Sequence, residues 1–129
     1  MTNFFQKLFN IKPKISTKGV DWLRVEGRLR ELEAMALSKD QTNAKQLIIQ
    51  SDILVDSILK EAKIAGTTMG ERLKNLREKL PRNIYSSLWE AHNKRNELVH
   101  EANSFVADWE KSKYFESFKR GISGLRSLR

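Results

Sequence analysis

Residues 42–66, TNAKQLIIQSDILVDSILKEAKIAG, form the clearest helical pattern in this sequence. Small or apolar residues recur there every three or four positions, which is the spacing that places side chains on one face of an α-helix. Gly66 stands where such a helix would end, because glycine readily adopts the left-handed conformation that closes a helix. The pattern therefore predicts one long helix whose core-facing stripe contains Ala44, Leu47, Ser51, Leu54, Ile58, Ala62 and Ala65.

Further segments on either side of this helix show the same periodicity. Residues 21–38 form a long helix before it, and the sequence TMGE at residues 68–71 matches a capping box that opens a short helix. Pro81 ends that short helix and begins a fourth helix that extends to Asn103, and another helical pattern follows. No stretch alternates as a β-strand would. The sequence therefore predicts an all-α domain, an up-and-down bundle of four to five helices.

Length and composition set the class of protein. A chain of 129 residues is long enough for one domain with a single modest core. No apolar run approaches the roughly 20 residues of a membrane span. The N-terminus, MTNFFQKLFNIKPK, has no apolar core followed by a small-residue cleavage site, so we expect a cytoplasmic protein. Residues 1–18 are interpreted as an N-terminal extension and residues 19–129 as the helical domain.

Charge and residue usage restrict the possible chemistry. The chain has no cysteine and two histidines, which leaves no disulfide framework or thiolate metal site and favours a mechanism without a metal or cofactor. Its net charge of +8 raises encounter rates with polyanions such as RNA. A basic surface that merely faces solvent explains the same charge, so charge alone does not identify a partner.

The fourth predicted helix, residues 81–103, carries two adjacent arcs of side chains that are not typical of a solvated face. At 100° per residue, one arc is a core stripe that includes Leu88, Leu98 and Ala102, and Arg95 lies within it. The neighbouring arc combines aromatic, amide and imidazole groups and needs a second contact surface, which a two-fold homodimer would provide. The side chains that we expect at this dimer interface are Tyr85, Trp89, His92 and Val99.

Arg95 is the least expected member of the core stripe, because burying an unpaired guanidinium is costly. A salt bridge to Asp52, Asp56 or Glu61 on the preceding long helix would satisfy its charge. A bound anionic ligand would satisfy it as well. His100, five residues later, also has two interpretations: a helix-end histidine that binds carbonyl groups, or a group that acts on a substrate.

The sequence KRNELVHEAN, with LWEAHNK overlapping its start, resembles the signature helix of the HEPN superfamily, named for higher eukaryote and prokaryote nucleotide-binding domains. The family motif is an arginine, usually followed by Asn, Asp or His, and then a histidine after four to six intervening residues. Arg95, Asn96 and His100 match it with four intervening residues. The order of helices around the motif is also similar, so residues 19–129 are interpreted as a HEPN-like domain.

This resemblance implies a metal-independent endoribonuclease that works as a homodimer, with one motif from each subunit lining a shared cleft. His100 would transfer a proton and Arg95 would stabilise charge on the phosphate while the 2′-hydroxyl of the RNA attacks. Asn96 would orient the imidazole or hold a phosphate oxygen. Similar small prokaryotic domains are toxins paired with a nucleotidyltransferase-fold antitoxin, or act in phage defence. Other family members bind nucleotides, RNA or proteins without cleaving RNA, and a helical protein whose aromatic arc binds another polypeptide is a further alternative.

Overall fold

The computed structural model describes residues 14–129, and within that range the regular secondary structure is entirely helical, without a β-strand. This agrees with the predicted all-α class. Residues 1–13, most of the predicted N-terminal extension, lie outside the described part. No helix between residues 14 and 129 is long and apolar enough to cross a membrane. Besides a 3₁₀ turn at Gln41–Asn43, the elements are α1 (Trp22–Leu37), α2 (Ala44–Glu61), α3 (Met69–Lys74), α4 (Arg82–His100) and α5 (Asp108–Arg126).

The four long helices run alternately up and down. The start of α1 contacts the end of α2 and the end of α5, and the second half of α4 contacts the start of α5. These contacts make α2 and α5 parallel to each other and antiparallel to α1 and α4. The ion pairs that mark the three antiparallel contacts are Arg24–Glu61, Glu26–Arg126 and Lys94–Glu110.

Helices α2 and α5 form the centre of the bundle, and α1 and α4 each pack against both of them. Helix α2 is buried over more of its circumference than the predicted stripe. A second stripe beside it, at the same helical spacing, contains Ile48, Asp52, Val55 and Leu59, and none of these side chains is more than 3% exposed. Asp52 therefore places a carboxyl group among apolar side chains that face the core.

Helix α2 ends at Glu61, earlier than the apolar pattern predicts. The structural reason is a Schellman motif: Lys63 adopts a left-handed conformation (φ 58°), and the amide of Ile64 donates to the carbonyl oxygen of Leu59 at 3.1 Å. Ile64 is thereby turned into the core, where it is buried. Ala65, predicted as the last residue of the core-facing stripe, lies beyond the helix end and is exposed, so its predicted core position was wrong.

The short α3 helix is held close to α2 by Gly66 and by its own cap. Gly66 has φ 144°, and a Cβ at this position would lie 2.8 Å from the amide nitrogen of Arg72, so a larger residue would push α3 away. Thr68 Oγ1 accepts from the amide of Glu71 at 3.2 Å, as the capping pattern predicts. The Glu71 carboxylate accepts from the amide of Thr67 at 2.6 Å.

Helix α4 ends at His100, three residues before the predicted boundary at Asn103. Glu101 leaves the helical conformation (φ −112°, ψ 109°), and the Ser104 hydroxyl donates to its carbonyl oxygen at 2.7 Å. Ala102 is consequently exposed in a turn and does not belong to the core stripe, which ends at Leu98. His100 therefore occupies the very end of the helix.

Candidate active site

A cleft of about 440 Å³ lies between α4, α2 and the start of α3. Arg95 and Asn96 of the predicted motif line it, and both are half-buried. Further side chains from α2, from the start of α3 and from α4 complete its walls. These further lining residues are Asp52, Ile53 and Asp56 from α2, Thr68, Met69 and Gly70 from the start of α3, and Trp89 and His92 from α4.

Asp52 is the buried acidic group of this cleft, with its side chain 4% exposed. Its Oδ1 lies 2.9 Å from His92 Nδ1, and its Oδ2 lies 3.5 Å from Arg95 Nε. Burial raises the pKa of Asp52 above its ordinary value because it disfavours the ionised form, although His92 and Arg95 act in the opposite direction. Of the three carboxylates predicted as counter-ions for Arg95, the fold brings this one into contact with it.

Asn96 links Arg95 to His92 and closes a ring of four polar side chains. Arg95 Nη1 donates to Asn96 Oδ1 at 3.0 Å, and the Asn96 amide nitrogen lies 3.5 Å from His92 Nε2. The contacts of His92 with Asp52 and Asn96 are compatible with a ring proton on Nδ1 directed at Asp52, and the contact with Asn96 is long for a hydrogen bond. A doubly protonated imidazole would set two donors against each other at Nε2. The ring thus orients Arg95 and Asn96 relative to α2.

Arg95 is held by this ring but is not enclosed by it. Its side chain is 32% exposed. Its Nε is buried without a well-formed hydrogen bond, because 3.5 Å from Asp52 Oδ2 exceeds the usual N–H···O distance. The positive charge of Arg95 is therefore only partly offset by Asp52, and the guanidinium stays accessible to an anion in the cleft.

His100 lies outside this cleft. It is the last residue of α4 and is exposed, and its ring forms no hydrogen bond or ion pair with any of residues 14–129. The interpretation of His100 as a histidine that binds helix-end carbonyl groups is thus not supported within that range. A single copy of the chain does not bring His100 and Arg95 around one cleft.

The four residues predicted for a dimer interface differ in how much surface they offer. Tyr85 and Trp89 are half-buried against their own core, with ring centres 6.4 Å apart in an edge-to-face contact. His92 is buried and its ring centre lies 5.8 Å from that of Trp89. Val99 is 45% exposed. Ile53, 49% exposed on the wall of the cleft, is an apolar surface residue that the sequence reasoning did not single out.

The second carboxylate of the cleft, Asp56, is engaged by basic side chains. It contacts Arg72 Nη1 at 3.0 Å and Lys60 Nζ at 3.3 Å. No group of three or more histidine, aspartate or glutamate side chains lies close enough together to bind a metal ion in the part of the chain from residue 14 onward. Neither carboxylate of the cleft therefore belongs to a recognisable metal-ligand set within this range.

No protein-family model, curated protein or solved structure matches this chain. The resemblance to the HEPN superfamily therefore rests on the sequence alone: on Arg95, Asn96 and His100 and on the predicted order of the helices around them. Of these three residues, the fold places Arg95 and Asn96 in one cleft and His100 beyond it.

Proposed function

We propose that the protein is a metal-independent endoribonuclease of HEPN type that acts as a two-fold homodimer. The observation that supports this most is the setting of Arg95, a partly exposed guanidinium held in a cleft by a buried carboxyl group and an amide. Such a preorganised cation suits catalysis at a phosphodiester, because it stabilises developing negative charge without rearranging during the reaction.

The proposed reaction is attack of an RNA 2′-hydroxyl on the adjacent phosphorus, which expels the 5′-oxygen of the next nucleotide and leaves a 2′,3′-cyclic phosphate. Negative charge grows on the phosphate oxygens in this step, and Arg95 with Asn96 beside it would stabilise that charge. The 2′-hydroxyl loses a proton and the departing 5′-oxygen gains one, and His100 would carry the proton between them because an imidazole can accept and donate a proton. His92 is not given this role because both of its ring nitrogens already have polar neighbours, Asp52 and Asn96.

A second copy of the chain completes the site in this proposal, because His100 lies outside the cleft of its own chain. We place the contact around Val99 and Ile53, the exposed apolar residues beside the cleft. Tyr85 and Trp89 offer less surface, since each is already half-buried. A two-fold axis near Val99 would let each His100 approach the cleft of the partner subunit.

A non-catalytic binding module is the second candidate, and the contact between Arg95 and Asp52 favours it. An arginine that already has an internal counter-ion can stabilise the fold without taking part in a reaction. Such a module would bind a nucleotide, RNA or protein at the same cleft and leave it intact. The two candidates differ in their requirement for His100, which the nuclease needs and the module does not.

Incubation of the purified protein with assorted RNAs in EDTA tests the proposal. We expect cleavage that yields 2′,3′-cyclic phosphate ends, and no cleavage where the sugar at the scissile position is 2′-deoxy. Arg95→Ala and His100→Ala should each lower the rate roughly 10²-fold or more. Glu101→Ala, at the exposed residue that follows α4, is the matched control and should retain activity. Activity that survives His100→Ala would point to a contaminating nuclease or a different site.

A nuclease acting on cytoplasmic RNA would need restraint in the cell that makes it. We propose, from the resemblance, a toxin or phage-defence role and a nucleotidyltransferase-fold antitoxin as the regulating partner. Expression of the wild-type chain alone should arrest growth, whereas the His100→Ala variant should not. A neighbouring gene for a nucleotidyltransferase-fold protein that relieves the arrest on co-expression would identify the partner.

A further inference from the structure

A second cleft, of about 750 Å³, lies beside the candidate active site along the first half of α4. It is bounded on one side by α4 and on the other by the end of α3 and the turn that follows. Trp89 lines both this cleft and the one that contains Arg95. The two clefts therefore meet at one aromatic side chain.

Positive charge dominates the second cleft. Lys74, Arg77 and Arg82 line it and are exposed, and none of the three forms an ion pair with another of residues 14–129. Glu78 is the one acidic residue among the described residues that line it. In the cleft that contains Arg95, by contrast, carboxylates are paired with basic side chains, as Asp56 is with Arg72, so positive charge is not in such excess. The excess of positive charge makes the second cleft complementary to a polyanion.

Two aromatic rings accompany these basic groups. Tyr85 and Trp89, one turn apart on α4, are fixed by edge-to-face packing and by the core beneath them. Trp89 also lies close to α3, since a Cβ placed on Gly70 would be 3.5 Å from its ring. Unpaired bases stack on aromatic rings of this kind while neighbouring basic side chains hold the phosphates.

We propose that the second cleft binds the single-stranded stretch of RNA next to the cleaved bond, with its phosphates on Lys74, Arg77 and Arg82 and bases against Trp89 and Tyr85. The inference rests on the proposed function, because it assigns the substrate that enters the same site. Single-stranded RNA fits better than a duplex, whose paired bases offer no free face to an aromatic ring. An acidic peptide would match the charge but has no planar base for Trp89.

Binding of an uncleavable probe separates this inference from the nuclease proposal. The probe is a fluorescein-labelled 2′-O-methyl oligouridylate dodecamer, titrated with the full chain by fluorescence anisotropy at several salt concentrations. The double variant Lys74→Glu/Arg77→Glu should weaken binding roughly tenfold or more. It should also reduce the slope of log Kd against log salt by about 1.4, the value for two lost phosphate contacts on a single strand.

The matched control is Arg30→Glu/Lys39→Glu, which makes the same change in net charge at exposed positions on and just after α1. It should bind the probe as the wild type does. Equal weakening by both double variants would overturn the inference, because it would show a general effect of net charge. Displacement of the probe by polyglutamate as effectively as by unlabelled oligouridylate would overturn it in favour of an acidic peptide. A changed oligomeric state in the cleft variant would overturn it in favour of a second copy.

Stacking is tested by Trp89→Leu, which should weaken binding roughly tenfold and leave the salt dependence unchanged. Tyr85→Leu replaces it if circular dichroism shows that Trp89→Leu is unfolded, and should weaken binding with the same unchanged salt dependence. If a folded variant at the substituted aromatic residue binds the probe as the wild type does, the proposed stacking of a base on that residue is contradicted. If the probe binds through this cleft but unmodified RNA is never cleaved, the nuclease proposal alone is contradicted. If unmodified RNA is cleaved but the cleft variants bind the probe as the wild type does, this inference alone is contradicted.

Discussion

The two histidines of α4, eight residues apart on one helix, have opposite surroundings. His92 is buried, and its two ring nitrogens lie within 3.5 Å of polar atoms of Asp52 and Asn96. His100 is exposed at the helix end and has no polar contact with the described residues. A histidine with both nitrogens occupied is suited to fixing other side chains, whereas a free imidazole is suited to exchanging protons with a substrate.

Under the proposed function, this difference divides the end of α4 into a supporting half, residues 92–96, and a reacting half, residues 97–100. Around His92, polar groups satisfy one another and hold Arg95 in place. Around His100, residues 14–129 supply an exposed imidazole and no polar partner for it. The composite site proposed above follows from that division, because the supporting half already contains a cation but no free acid or base.

The largest effect is expected from removing the buried carboxyl group of Asp52, which tests this division through the free energy of unfolding. Asp52→Ala should lower the free energy of unfolding by about 3 kcal/mol, because it leaves His92 and Arg95 without their shared acceptor. Urea denaturation followed by circular dichroism measures this change. The matched comparison is His100→Ala, for which we expect a change within about 0.5 kcal/mol. Similar losses in the two variants would show that the helix is not divided in this way.

The helical class followed from the sequence because apolar periodicity reports it directly, as in the stripe of α2. The helix ends were predicted less accurately. Ala65 and Ala102 fit the helical period but lie beyond the ends of α2 and α4, since backbone turns at Lys63 and Glu101 close those helices. Such turns depend on local backbone conformation, for which lysine and glutamate give little signal.

The candidate site was predicted in part. Arg95 was expected to need a counter-ion, and Asp52 was one of three carboxylates within reach on the preceding helix. The contact between Asp52 and His92 was not foreseen, because it depends on how α2 and α4 pack against each other. One signal was present: Asp52 falls four residues after Ile48 and three before Val55, in a stripe that is otherwise apolar.

A smaller effect, on dimer association, is expected from a substitution in the reacting half, where the proposed dimer contact lies next to His100. Val99→Asp should weaken association about tenfold or more, because it would bury an unpaired charge between the two copies. Light scattering over a range of protein concentrations measures the change. Leu23→Asp, at an apolar residue of α1 that is 82% exposed, is the matched control and should leave association unchanged. A wild-type chain that stays monomeric at tens of micromolar would contradict the composite site.

The smallest expected effect is on the pH dependence of the free energy of unfolding. It compares the supporting half of α4 with the opposite side of the same helix. There Lys94 Nζ contacts Glu110 at 2.9 Å. Burial opposes ionisation of Glu110, but the amide of Ala107 and the ammonium of Lys94 outweigh it and hold the pKa of Glu110 below its ordinary value. A lowered folded-state pKa contributes stability that is present above the unfolded-state pKa and is lost as the pH falls through the folded value.

Asp52 has the opposite sign, because burial raises its pKa. Its folded form takes up a proton more readily than its unfolded form, so its contribution becomes more favourable as the pH falls through the folded-state pKa. The free energy of unfolding measured from pH 7 down to about pH 3 should therefore fall less steeply in Glu110→Gln than in the wild type, and more steeply in Asp52→Asn. If Asp52→Asn instead flattens the dependence, His92 and Arg95 stabilise an ionised Asp52 more than burial disfavours it. The supporting half would then be held together mainly by an ion pair, and the charge of Arg95 would be less available to a phosphate than proposed.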